Sequence, residues 1–355
     1  MRLAATVALG LLFGAIALWG AAAAAERQST LDVHINAISV HTLLSEPAVM
    51  LADPARQAAA IRRAHWTVSG FVLTQVFEAA ALFYLWSSGG AAALRDRLRR
   101  RLRSEWALRF AFGAALALVA RLAAFVPAFY LYRVDHMLGL TYELTRYWML
   151  YWLFHTIVAM AIAGFIAAIV LWLASRTHQW YVYAIGGILA ASVVWSYLSP
   201  SRLRTFAGST PAELRFVTAF AQGVQHDQLS IALIQGGIII VFAALAVVVA
   251  DRIRFRRDDD PLSRLTLVGA LLALVYLAAV PVRNGVQRSY DLGDDVYAVA
   301  FTDDPGSAVR ALIREGDQRM IEVCPELTAA LFLYTEPGIG PRVAAINHVP
   351  SRCPP

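Results

Sequence analysis

Charge is scarce in this chain of 355 residues: 16% of positions are charged, against 59% that are apolar. Soluble domains carry about 25% charged and about 45–50% apolar residues. The deficit excludes an ordinary soluble enzyme, a disordered chain and a nucleic-acid module. Lysine is absent, so all 31 basic residues are arginine, which together with the abundant alanine fits a GC-rich bacterial genome. Cysteine occurs only at Cys324 and Cys353. Two thiols cannot build a zinc ribbon or a disulfide scaffold. They permit one bridge if their segment faces an oxidising compartment, and two free thiols otherwise. No repeat of 20–50 residues is visible, no glycine-rich phosphate loop follows a strand, and no G-x-S-x-G element supports a serine triad.

Long apolar runs are what the chain has instead. A spanning helix needs about 20 apolar residues. Seven stretches qualify: 3–25, 66–87, 106–132, 147–175, 179–198, 229–250 and 265–282. The first ends in AAAAAE and reads either as a cleaved signal peptide or as a retained first span. The expected fold is an all-α polytopic helix bundle. An extracytoplasmic segment at 26–65 precedes a transmembrane bundle at 66–282, and a short, mostly helical tail follows at 283–355. In the tail, DDPGSAVRALIREG predicts a helix capped near Ser307.

Arginine orients the bundle. Arg95, Arg97, Arg99, Arg100, Arg101 and Arg103 follow the second run, Arg176 follows the fourth, and Arg252, Arg254, Arg256 and Arg257 follow the sixth. These three connections alternate as cytoplasmic loops should. The expectation is a multi-pass protein of a bacterial inner membrane with its amino end cytoplasmic and its tail periplasmic. The net charge of +6 is then an orientation signal rather than a nucleic-acid surface. The basic amphipathic stretch 91–110 could also meet anionic lipid; its simpler reading is a solvated extension of the third run.

Glu78, Arg121 and His155 fall well inside runs. A charge at mid-bilayer costs about 2.5–3.5 kcal/mol and normally has a partner. Glu78 and Arg121 lie at matching depths and are expected to pair across adjacent antiparallel helices. His155 is expected to be a hydrogen-bonded core histidine. Gly186–Gly187 and Gly236–Gly237 are expected to allow close helix packing.

Three stretches together resemble the integral-membrane zinc metallopeptidases of the CAAX prenyl protease type. Residues 125–148 (FVPAFYLYRVDHMLGLTYELTRYW) match in Asp135, His136, Gly139, Leu140 and Trp148. Residues 210–237 match the approach to the family's H-E-x-x-H helix in Glu213, Leu214, Arg215, Val217 and Ala219. In that motif two histidines on one helix face bind zinc and the glutamate is the general base. Here the positions read Phe220, Ala221, Gln222, Gly223 and Val224, so Gly223 alone survives. Residues 281–312 match in Arg288, Asp295 and Ala298, with Asp291 where the third zinc ligand, a glutamate, is expected. Pro337 and Arg342 fit the family's ending, and Glu336 replaces its histidine.

The resemblance covers most of 66–343. The family's extramembrane segment ahead of the zinc helix is missing, and arginine counting places the site outside, whereas well-known relatives face the cytosol. The resemblance implies a degenerate metallopeptidase helix at 213–237, no intact catalytic residue and no cofactor. It implies a binding or scaffolding role toward the lipid bilayer and an unidentified peptide or protein. His226, Asp294 and Asp295 are weak candidates for a replacement zinc site, which would make the chain a working endopeptidase with rearranged ligands. His226 lies about 240° around the helix from Phe220 and cannot take its place. The bland expectation is that His226 and the acids at 291, 294 and 295 are solvated, with Arg288 pairing to Asp291. An unrelated transporter or membrane anchor is the remaining alternative.

Overall fold

A computed structural model describes residues 34–141, 143–198, 209–253 and 260–353; the first apolar run lies outside the described residues. No strand occurs among the described residues. Two short helices, α1 (Val40–Ser45) and α2 (Ala48–Leu51), lead into α3 (Pro54–Ser87). Then come α4 (Gly90–Arg101), α5 (Glu105–Met137), α6 (Thr145–Arg176), α7 (Trp180–Leu198), α8 (Pro211–Arg252) and α9 (Pro261–Thr302). The tail folds as α10 (Pro305–Arg319), α11 (Leu327–Phe332) and α12 (Ile339–Asn347). Helices α3 and α5–α9 are the six described helices long and apolar enough to cross a membrane. The protein is thus an all-α multi-pass bundle, and the apolar side chains on the outside of α6 and α7, such as Phe154, Ile166 and Trp195, face lipid.

Helix ends depart from the apolar runs. α3 begins twelve residues before Trp66, and α9 continues twenty residues past Val282. The cause is local. Asp53–Pro54, Thr210–Pro211, Asp260–Pro261 and Asp304–Pro305 each place a capping oxygen ahead of a proline at the first helical position. Asp53, for example, accepts from the Ala55 and Arg56 amides at 2.8 and 2.9 Å. α5 ends in a Schellman motif, with the Leu140 amide donating to the Asp135 carbonyl at 2.9 Å and Gly139 at φ +71°. Only glycine enters that conformation without strain, which explains its presence there.

The neighbours run α6–α5–α3–α9–α8–α7. Close crossings use small residues. A Cβ on Gly113 of α5 would lie 2.7 Å from the Ala163 carbonyl oxygen of α6. Gly236 approaches Leu189 and Ser192 of α7, whereas Gly186, Gly187 and Gly237 face open space and play no such role. α4 packs Leu94 and Leu98 against Leu262, Leu108 and Phe112, with Leu171 of α6 against the same cluster. The described helix ends that flank the three arginine-bearing connections therefore lie at one end of the bundle.

The other end carries a cap that the apolar runs did not announce. Ile35, Leu43 and Leu51 share a core with Leu312, Ile313, Val343 and Ile346 of the tail and with Phe216 and Phe220 of α8. The segment before the bundle and the tail after it are thus one folded unit. A Cys324–Cys353 disulfide ties the chain beyond α12 to the α10–α11 connection, closing a loop of about 30 residues, worth about 3.6 kcal/mol. Cys353→Ala is expected to lower cap stability by that amount in denaturant titration, with a matching loss on reduction of the wild type.

Candidate functional site

Phe220, Gly223, Asp294, Asp295 and Arg342, all singled out from the sequence, converge where the cap meets the bundle. Phe220, in the first turns of α8, is fully buried in the cap core. The Arg342 guanidinium from α12 lies 5.3 Å from its ring centroid. Arg342 is held in turn by Asp295 of α9. Its Nε donates to Oδ2 at 2.7 Å and its second nitrogen to Oδ1 at 2.8 Å. Both side chains are at most 1% exposed. A bidentate, desolvated pair stacked on an aromatic face is a rigid plug. Glu336 approaches the same guanidinium at 3.7 Å. Ala221 and Val224 are half-buried, Val224 against the cap core, and Gly223 is buried. A Cβ on Gly223 would lie 2.8 Å from Asp294 Oδ1, so any larger residue would have to displace the Asp294 side chain at the α8–α9 crossing.

The acids of α9 are not solvated as expected. Asp291, Asp294 and Asp295 are 0%, 3% and 0% exposed. Helix α9 runs on beneath the tail, which covers them. Asp291 accepts from Gln287 at 2.9 Å, and Gln287 accepts from Gln235 of α8 at 2.8 Å, a polar chain joining the two helices. Arg288 does not pair with Asp291. It donates to the carbonyls of Ala330 and Tyr334, the latter at 2.9 Å, and so pins α11. His226 and Arg215 are exposed.

Could zinc be held here? The first-ligand position is an aromatic ring under a cation, Ala221 and Val224 carry no donor atoms, and one oxygen of Asp291 already accepts an amide proton. No group of three or more His, Cys, Asp or Glu among the described residues is arranged to hold a metal ion. The described residues at these positions do not fit a zinc centre.

A second buried ion pair braces the entry of α8. Arg314 of α10 donates to Glu213 at 3.1 and 3.3 Å and to Asn36 at 2.8 Å, with both charged groups about 1% exposed. Sequence reading placed Glu213 in the family-like approach but missed its partner, which lies 101 positions away.

Beside the plug is a polar cavity of about 520 Å³, lined by Arg63, Asp135, Arg319, Tyr334, Thr335 and Glu336 among others. Arg63 pairs with Asp135 at 2.9 Å. Pro337 lines the same cavity, while His136 turns outward and packs on Tyr132. Behind the cavity, Glu315 is fully buried and bound to Arg319 at 2.5 Å. Burial, with the Glu336 charge second, pushes its carboxyl up to about 7. Burial likewise raises Glu322 to about 7 and Asp317 to about 6.

The intramembrane residues turn out differently. Glu78 and Arg121 sit on packed helices within electrostatic reach, yet they form no ion pair within 4.0 Å. Arg121 instead lies 5.8 Å from the Trp152 ring centroid. His155 bonds the Tyr151 carbonyl at 2.8 Å, but it is exposed on the outer face of α6, not in the core.

The architecture defines a multi-pass helical membrane protein with a folded cap at one end. No protein-family model matches the chain, and no curated protein is significantly similar to it.

Proposed function

We propose that the chain is a catalytically degenerate relative of the CAAX-type membrane metallopeptidases that works by binding rather than hydrolysis. The observation that carries this reading is the plug. The helix position where the family holds its first zinc ligand is Phe220, sealed beneath the Arg342–Asp295 pair at 5.3 Å. Hydrolysis in the family needs an ion with an open position for water. Here a cation already occupies the neighbouring space, and it cannot deprotonate or bind a nucleophile. What persists is a rigid cap–bundle junction beside a cavity lined by both signs of charge, suited to a peptide or protein segment. The clustering of arginine connections at one end supports a bacterial inner-membrane location with the cap in the periplasm.

The test is peptide cleavage by the full chain purified in mild detergent, with Asp291→Ala alongside. The expected result is no chelator-sensitive cleavage by either form. Cleavage that a chelator abolishes and Asp291→Ala removes would overturn the reading.

A further inference from the structure

We propose that α4 is a docking surface for anionic phospholipid headgroups. The helix lies across the end of the bundle, where α3 and α6 finish and α5 and α9 begin. Its apolar face is already used: Ala91 is 1% exposed, and Leu94 and Leu98 pack on Leu108, Phe112 and Leu262. The helix therefore does not insert into lipid as a free amphipathic helix would. It is bolted to the bundle at a fixed depth.

Arg95 is part of that bolt, pairing with Asp96 at 2.8 Å and with Asp260, the cap of α9, at 3.1 Å. The other arginines are not. Arg97, Arg99, Arg100, Arg101 and Arg103 are all exposed. Arg99 has a distant acid, Glu105 at 3.9 Å. Arg97, Arg100, Arg101 and Arg103 form no ion pair with the described residues.

The level of this cluster is set by the span beside it. Trp106, in the first turn of α5, is 44% exposed and packs on Phe110 and on Phe165 of α6, both apolar rings of spanning helices. An exposed tryptophan at a span's end marks the headgroup level. The arginines on α4 and its C-terminal side thus stand within one helical turn or so of the bilayer surface, held there by packing. Uncompensated cations at that depth select negative headgroups over zwitterionic ones. Their closeness in sequence makes them act together, because neighbours lie within a Debye length.

The surface takes the phosphate of an acidic lipid, not a soluble phosphate, because its geometry is open and shallow and the bilayer supplies the ligand at high local concentration. Association of spin-labelled phosphatidylglycerol with the reconstituted full chain tests this, against spin-labelled phosphatidylcholine. Phosphatidylglycerol should be preferred, and the preference should shrink as salt is raised. The quadruple variant R97Q/R100Q/R101Q/R103Q should weaken it by at least about fivefold, since each basic residue near the surface contributes about that factor. The matching quadruple Lys variant keeps the charge and should keep the preference, and an unchanged thermal midpoint shows that both variants are folded. Equal association of the two lipids would overturn the proposal. So would a preference that survives the Gln variant or is lost in the folded Lys variant. Displacement of phosphatidylglycerol by inorganic phosphate at comparable concentration would make this a soluble-anion site and would equally overturn it.

Discussion

Replacing Arg342 by Met is expected to destabilise the cap by about 3–5 kcal/mol, because it leaves the Asp295 carboxylate buried without its counter-charge. Asp295 is 0% exposed and bonded twice by that one guanidinium. Loss of the arginine also uncovers the Phe220 ring and removes the contact that fastens α12 to α9. The double variant Arg342→Met/Asp295→Asn should recover much of the loss, since removing both charges avoids the orphaned one. Limited proteolysis of the tail and a double-mutant cycle on the unfolding free energy read this out. Additive losses would show that the two residues do not interact.

The cap is also expected to be more stable in mild acid than at neutral pH, the reverse of ordinary acid denaturation. Glu315 and Glu322 have folded carboxyls raised to about 7, and Asp317 to about 6, each chiefly by burial. A raised acid binds its proton more tightly when folded than unfolded. Its contribution is therefore complete below the unfolded pKa near 4 and is lost as pH rises through 6 to 7. Glu315 alone accounts for about 3 kcal/mol on this scale. One of its oxygens, Oε2, is buried without a hydrogen-bond partner, which is where a proton would reside. The cap's melting midpoint should fall between pH 5 and pH 8, and Glu315→Gln should flatten the slope. A midpoint that rises over that interval would contradict the burial of these acids.

The spans were legible because apolar runs of bilayer length have one solution, a helix. Their ends were not, because α3, α8 and α9 run beyond the lipid into the cap, where polar residues are compatible with helix. The Asp53–Pro54, Thr210–Pro211, Asp260–Pro261 and Asp304–Pro305 pairs carried that information in plain view. The pairing of Asp295 with Arg342 and of Glu213 with Arg314 was not legible, since nothing local links positions 47 and 101 apart. His155 was misplaced because α6 is apolar all round, so periodicity does not say which side faces lipid. Matching depth put Glu78 and Arg121 on packed helices, but depth does not fix the angle of either side chain, and Trp152 takes the position over Arg121.

Phe220 gave the clearest reading from sequence alone: a ring has no lone pair for a metal. The structure adds what stands beside it, a guanidinium already committed to Asp295. The most direct test of that arrangement is the zinc content of the purified full chain after equilibration with zinc and removal of unbound metal. Far less than one zinc per chain is expected, unchanged in Asp291→Ala. One zinc per chain, lost in Asp291→Ala, would contradict it.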